Sequence, residues 1–171
     1  QQFSDEEIRA MVQEAERADV IVAANAHGKA GILAALRNGC GTIEHGSYWD
    51  DECTELAKEK DAVLVPTRWI LMMLKQMVGD RKIGDDPTGT NLTQSSLNKA
   101  ISVYESHTNA IKLAIASGVT IATGCDLFIG KEYGYNGAEL KYLILVLAGL
   151  IQNELPEEPE RRLVGHRIFC H

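Results

Sequence analysis

Apolar residues along this chain change their period several times. Ile8, Met11, Val12 and Ala15 fall at helical spacing behind Ser4, and Ser4 with Glu7 makes a capping box, so the first element is a helix. Val20-Ile21-Val22-Ala23-Ala24 is a continuous apolar run, as in a strand buried on both faces. A helix from Lys29 to Leu36 follows, closed by Asn38-Gly39. Gly41 to Glu44 reads as a second strand. Asp50 and Asp51 can cap a helix through Cys53, Leu56 and Ala57, and Ala62 to Val65 is a third strand stopped by Pro66. The stretch from Trp69 to Gln94 is less regular, with an apolar Ile70–Met77 run and a loop-like Gly79–Gly89 segment. A long helix from Gln94 to Ser117 carries the stripe Leu97, Ala100, Ile101, Tyr104, Ile111, Ala114 and Ile115 and ends at Gly118. Val119 to Ala122 is the fourth strand, and a last helix runs from Asn136 to Leu150.

Strands that alternate with helices imply parallel, right-handed βαβ units. Two α/β architectures satisfy this pattern: a doubly wound open sheet, and a (β/α)8 barrel of which four units would be half. The first strand is not followed by a glycine-rich phosphate loop, since Gly28 stands alone, and this disfavours a nucleotide-binding sheet.

Composition narrows the function classes. The 171 residues suffice for one domain with a sizeable core, and 45% of them are hydrophobic. A net charge of -7 repels phosphate backbones, so nucleic acid is not expected as a partner. The longest apolar run, Tyr142 to Ile151, is about half of the roughly 20 residues a membrane span needs. The chain opens on Gln1-Gln2 without a Met or a signal peptide and reads as a piece of something longer. Cys40, Cys53, Cys125 and Cys170 make no C-x-x-C pair, which favours reduced thiols and a cytoplasmic setting over a zinc knuckle or disulfide scaffold.

In a parallel barrel, chemistry sits at the C-terminal ends of the strands. Asn25 and His27 follow the first strand, His45 the second, Thr67 and Arg68 the third, and Asp126 the fourth. Three of four strands thus end in His or Asp, the usual ligands of a borderline metal. An isolated His near a strand end is more often a hydrogen-bonded structural residue, and Asp126 could simply cap a turn. His107 lies near the apolar stripe of the long helix and reads as structural. His166 and His171 sit in a tail without a pattern. Met72, Met73 and Met77 read as core or lid packing.

The order Ser4-Asp5-Glu6-Glu7-Ile8, His27-Gly28, Ile43-Glu44-His45-Gly46, Leu64-Val65-Pro66-Thr67 and Thr123-Gly124-Cys125-Asp126 resembles the amidohydrolase superfamily, in its imidazolonepropionase-like and Xaa-Pro dipeptidase-like branch. The resemblance covers roughly residues 2 to 149. It implies strands 5 to 8 of a (β/α)8 barrel, with residues 1–150 forming the C-terminal half and 151–171 a divergent tail. It further implies a divalent metal, most often zinc, whose bound water attacks a C–N bond of a small amide or dipeptide-like substrate. By position, His45 matches the sixth-strand metal ligand. Asp126 matches the eighth-strand aspartate, which touches metal and serves as general base and then acid.

The departures from the family pattern carry as much weight. Asn25 stands where the fifth-strand ligand is expected, twenty residues before His45, so that "AANAHG" reads as "AAHAHG" with one ligand replaced. His27 could substitute, because two residues along a strand return to the same face. The first-strand H-x-H motif and the fourth-strand Lys would both lie before Gln1. Leu155 to His171, with Pro156, Pro159 and many charges, departs from the family pattern. The metal set expected from this chain is therefore His45, His27 and Asp126. The alternative is a catalytically incomplete or non-catalytic remnant of the fold. A half barrel leaves unpaired strand edges, so a homo-oligomer is a further expectation.

Overall fold

The computed structural model describes residues 1–79, 94–126, 137–150 and 168–170. Its described elements are six helices and five strands, which alternate except that α5 follows α4: α1 (Asp5–Arg17), β1 (Ala23–Ala26), α2 (Lys29–Arg37), β2 (Thr42–His45), α3 (Asp51–Glu59), β3 (Val63–Val65), α4 (Arg68–Gly79), α5 (Gln94–Ala116), β4 (Thr120–Thr123), α6 (Gly137–Leu150) and β5 (Ile168–Cys170). The strands form one parallel sheet in the order β1-β2-β3-β4-β5. The loop expected over Gly79–Gly89 lies outside the described residues apart from Gly79, which ends α4.

The helices start where the sequence supplies acceptors. Ser4 takes the Glu7 amide while Glu7 takes the Ser4 amide, and Asp50 accepts from the Cys53 amide at the head of α3. Register then sorts the side chains. Ile43 lies opposite Ala24 and Leu64, and Leu64 lies opposite Ile121. Ile43, Leu64 and Ile121 are buried and join the core with Ile32 and Leu36 of α2 and Ile111 and Ala114 of α5. The intervening positions, Asn25, Thr42, Glu44 and Val63, fall on the other face of the sheet.

The structure departs from the sequence reading at three elements. β1 begins at Ala23, and Val20 and Ile21 are left exposed at 58% and 67%. The irregular Trp69 region is a regular helix, α4, whose cap is not local. The Glu139 carboxylate, buried at the start of α6, accepts from the Arg68 and Trp69 amides at 2.8 and 2.6 Å. The tail contributes β5, parallel to β4. Three residues are too few to show a period, and an edge strand of that length is set by the neighbour it pairs with.

A buried polar layer ties these helices to the end of β3. Arg68 donates to His107 Nδ1 at 3.1 Å and to Thr108 Oγ1 at 2.7 Å, and its guanidinium lies 3.8 Å over the Tyr104 ring. His107 Nε2 lies 2.7 Å from the Pro66 carbonyl. His107 is thus the hydrogen-bonded core histidine that its helical position suggested. Burial and the neighbouring Arg68 charge push its pKa down to about 3. Burial pushes Glu139 up to about 7, against its amide bonds and the Arg68 charge.

Two measurements follow from this packing. Gly46 has φ 58, and a Cβ there would stand 2.5 Å from Leu64 Cδ1. Gly46→Ala should cost about 2–4 kcal/mol in urea denaturation, from backbone strain plus overpacking. The second concerns pH. His107 and His45, with native pKa values of about 3 and 4, stay neutral while the unfolded imidazoles protonate below pH 6.5, so acidification from 6.5 to 4 destabilises. Glu139 acts oppositely, because its native form takes a proton near pH 7 and its unfolded form only near 4.5. Stability should therefore fall from pH 6.5 to 4, and more steeply in Glu139→Gln. A flatter profile in that variant would contradict the assignment.

Candidate active site at the strand ends

Three neighbouring strands end in the same uncommon backbone state. His45 closes β2 with φ 71, Thr67 follows β3 with φ 52, and Asp126 follows β4 with φ 52. Left-handed φ is unfavourable for a residue with a Cβ and least expected of a β-branched threonine. Such strain persists only where surrounding contacts over-determine it, and it clusters at functional sites.

The consequence is clearest at His45. Alternation from Ile43 would carry its side chain to the helix face of the sheet, level with its register partner Ala26. The left-handed turn redirects the ring, which stacks on His27 with centroids 4.2 Å apart and planes 7° apart. His27 Nδ1 meets the buried Ser47 hydroxyl at 2.9 Å. His45 Nδ1 meets Thr67 Oγ1 at 2.7 Å, and Thr67 Oγ1 also meets the Pro66 carbonyl at 2.7 Å. Burial, helped by His27, lowers the His45 pKa to about 4. His27 keeps an exposed side, yet lost solvent and the Lys99 charge lower its pKa as well. Both imidazoles are therefore neutral near pH 7, the form that offers a nitrogen lone pair.

Asp126 is exposed, and its charge acts on both rings, raising the pKa of each against the larger effect of burial. His27, His45 and Asp126 thus share one end of the sheet within electrostatic range. Lys99, from α5, adds a positive charge to the same mouth. Asn25 lies in β1 opposite Glu44, with its side chain exposed on the face away from the helices. Among the described residues, no three His, Cys, Asp or Glu side chains gather closely enough to hold a metal ion. The stacked rings explain part of this, since lone pairs in two parallel planes do not meet at one point. The donors at this end of the sheet do not by themselves form a closed ligand set.

The contributions of Ser47, Lys99 and Glu139 were not foreseen from the sequence. They come from elements distant in the chain, and their residue types signal nothing by themselves. The one sequence sign was a glycine near two of the three strained residues. Gly46 follows His45, and Gly124 precedes Asp126 by two, where a Cβ would stand 2.7 Å from Val65 Cγ1.

Comparison with known proteins places this arrangement in a family. Residues 1–156 match the family model described as the amidohydrolase family. Ochratoxinase from Aspergillus niger is 39% identical over 143 residues, which is 84% of this chain and 27% of that protein. The crystal structure of A. niger ochratoxinase superposes with a TM-score of 0.68 at 38% identity, over 84% of this chain and 29% of that one. A Xaa-Pro dipeptidase with methionine bound in its active site gives 0.73 at 29% identity, over 85% and 34%. A prolidase complexed with N-methylphosphonate-L-proline gives 0.73 at 30% identity, over 87% and 34%. The chain thus spans about a quarter to a third of the relatives it matches. Its α/β architecture is that of a partial (β/α)8 barrel. With the parallel strand order, the residues at the strand ends and a family match over residues 1–156 in agreement, this chain belongs to the amidohydrolase family.

Proposed function

We propose that this chain is the C-terminal half, strands 5 to 8, of a barrel enzyme that hydrolyses a C–N bond in a small amide or dipeptide-like substrate. Residues 1–150 make up that half, and 151–171 are a divergent tail that adds β5. The observation that carries the reading is the shared position of His45 and Asp126, at the ends of β2 and β4, both held in left-handed backbone and within electrostatic range of one another. His45 contributes an imidazole nitrogen to a divalent metal site, zinc being the ion that suits a His and Asp set. Asp126 contributes a carboxylate that takes a proton from the attacking water and returns it to the leaving nitrogen. His27 joins the ligands only by turning off its stack. The remaining donors come from strands that precede this half. Lys99 at the mouth suits a substrate bearing a carboxylate.

A second reading, a non-catalytic remnant, is favoured by Asn25, whose amide oxygen is a weak ligand beside an imidazole. Cys40 and Cys53 form no disulfide, which supports a cytoplasmic setting. Among the described residues, no helix is long and apolar enough to cross a membrane.

The chain by itself should bind zinc weakly and show no amidase turnover. Zinc titration and a peptide-hydrolysis assay check this, and stoichiometric tight zinc with turnover would sink the incomplete-site reading. The catalytic reading is tested by grafting residues 1–150 in place of the matching segment of A. niger ochratoxinase. Asn25→His in that graft should raise metal affinity and C–N hydrolysis, and Asp126→Asn should lower hydrolysis at least about 100-fold. A graft with Asn25→His that binds metal yet stays inert favours the remnant.

The outer edge of β1 gives a further expectation. Phe3, Met11, Val20 and Ile21 are exposed beside it, and α1, β1 and α2 line a cavity of about 690 Å³ there. A bare parallel edge with apolar flanks recruits another chain. Light scattering should show homo-oligomers, and Ile21→Lys should shift them toward monomer.

A further inference from the structure

We propose that Thr67 is a positioning residue for His45, fixing which imidazole nitrogen carries the proton and therefore which one faces the mouth as an acceptor. The inference rests on the reading of His45 as a donor to a metal. It follows from a chain of hydrogen bonds whose direction leaves no choice. A guanidinium can only donate, so His107 Nδ1 accepts from Arg68, and His107 Nε2 carries that ring's proton. His107 Nε2–H then donates to the Pro66 carbonyl, which can only accept. The Thr67 hydroxyl has one proton. It lies 2.7 Å from the same carbonyl, where two acceptors would repel, so it donates there. Its remaining lone pairs face His45 Nδ1 at 2.7 Å, and His45 must donate to them. His45 is thereby held as the Nδ1–H tautomer, and its Nε2 keeps a free lone pair.

Two features show that the structure is built around this contact. Thr67 is a buried, β-branched residue held at φ 52, a conformation that costs free energy and places its hydroxyl between Pro66 and His45. The carbonyl it bonds is clamped from below by His107, which is buried and bonded at both nitrogens. The buried layer around Arg68, Tyr104, Thr108 and Glu139 thus ends at one imidazole. Outer-shell partners of this kind fix ligand tautomers, and their loss costs about 10–100-fold in metal affinity.

The test is two-bond 15N–1H correlation spectroscopy on the full chain at pH 7, which reads the tautomer of each histidine with or without metal. Thr67→Ser keeps the hydroxyl. Thr67→Val removes it, and Thr67→Ala removes it with less strain at positive φ, which covers the case in which the valine variant fails to fold. His45 should be the Nδ1–H form in the unaltered chain and in Thr67→Ser, and should shift toward Nε2–H in Thr67→Ala and Thr67→Val. An Nε2–H His45 in the unaltered chain, or an unchanged tautomer without the hydroxyl, overturns the proposal. A parallel zinc titration of the same variants in the ochratoxinase graft, where the missing donors are supplied, separates the two readings. A tautomer shift with no zinc binding in any variant leaves the positioning role intact and removes the metal reading. A shift accompanied by at least about tenfold weaker zinc binding supports both.

Discussion

The site depends first on register. Ile43, Leu64 and Ile121 face the helices because each is paired with the next across adjacent parallel strands, and burying that row against α2 and α5 fixes every strand's offset. A slip of one residue would expose all three and turn Thr42, Glu44 and Val63 inward. Once the offset is fixed, β2, β3 and β4 stop at one level, and His45, Thr67 and Asp126 become neighbours although 81 positions separate the first from the last. The hydrophobic row thus decides the geometry of polar groups it does not touch.

Strain is how those polar groups are aimed. Extended backbone alternates side chains between faces, and a reactive group needs a third direction, along the strand axis and out of the mouth. A left-handed residue at the ends of β2, β3 and β4 supplies it. The cost is spread over contacts nearby, including Gly46 against Leu64, Gly124 against Val65, and the Thr67 hydroxyl between Pro66 and His45. The neutrality of both imidazoles has the same origin. Burial disfavours a charge on either ring, His27 adds to this at His45 and Lys99 at His27, and the nearby Asp126 does not offset it.

The edges set the other constraint. β4 is paired on both sides because β5 lies against it, whereas β1 has only β2 among the described strands. The apolar residues beside β1 go with a chain that spans about a quarter to a third of the relatives it matches. A barrel's interior and its catalytic ligands both come from the full circle of strands.

The fold class was legible in the sequence. Capping boxes, the alternation of periods and the closing glycines act over a few residues, so they placed α1, α2, α3, α5 and α6 and four of the strands to within a few positions. The motif order likewise pointed to the strand ends, where the structure brings His27, His45 and Asp126 to one end of the sheet, because residues that follow parallel strands directly share that end. The start of α4 was not legible, because its cap is Glu139, 71 residues away. Nor was β5, whose three residues take their conformation from β4. The stacked imidazoles, their Ser47 and Thr67 partners and the left-handed strand ends were also hidden. Each is a contact between segments distant in the chain, and a local pattern carries no information about what a neighbouring strand will bring alongside it.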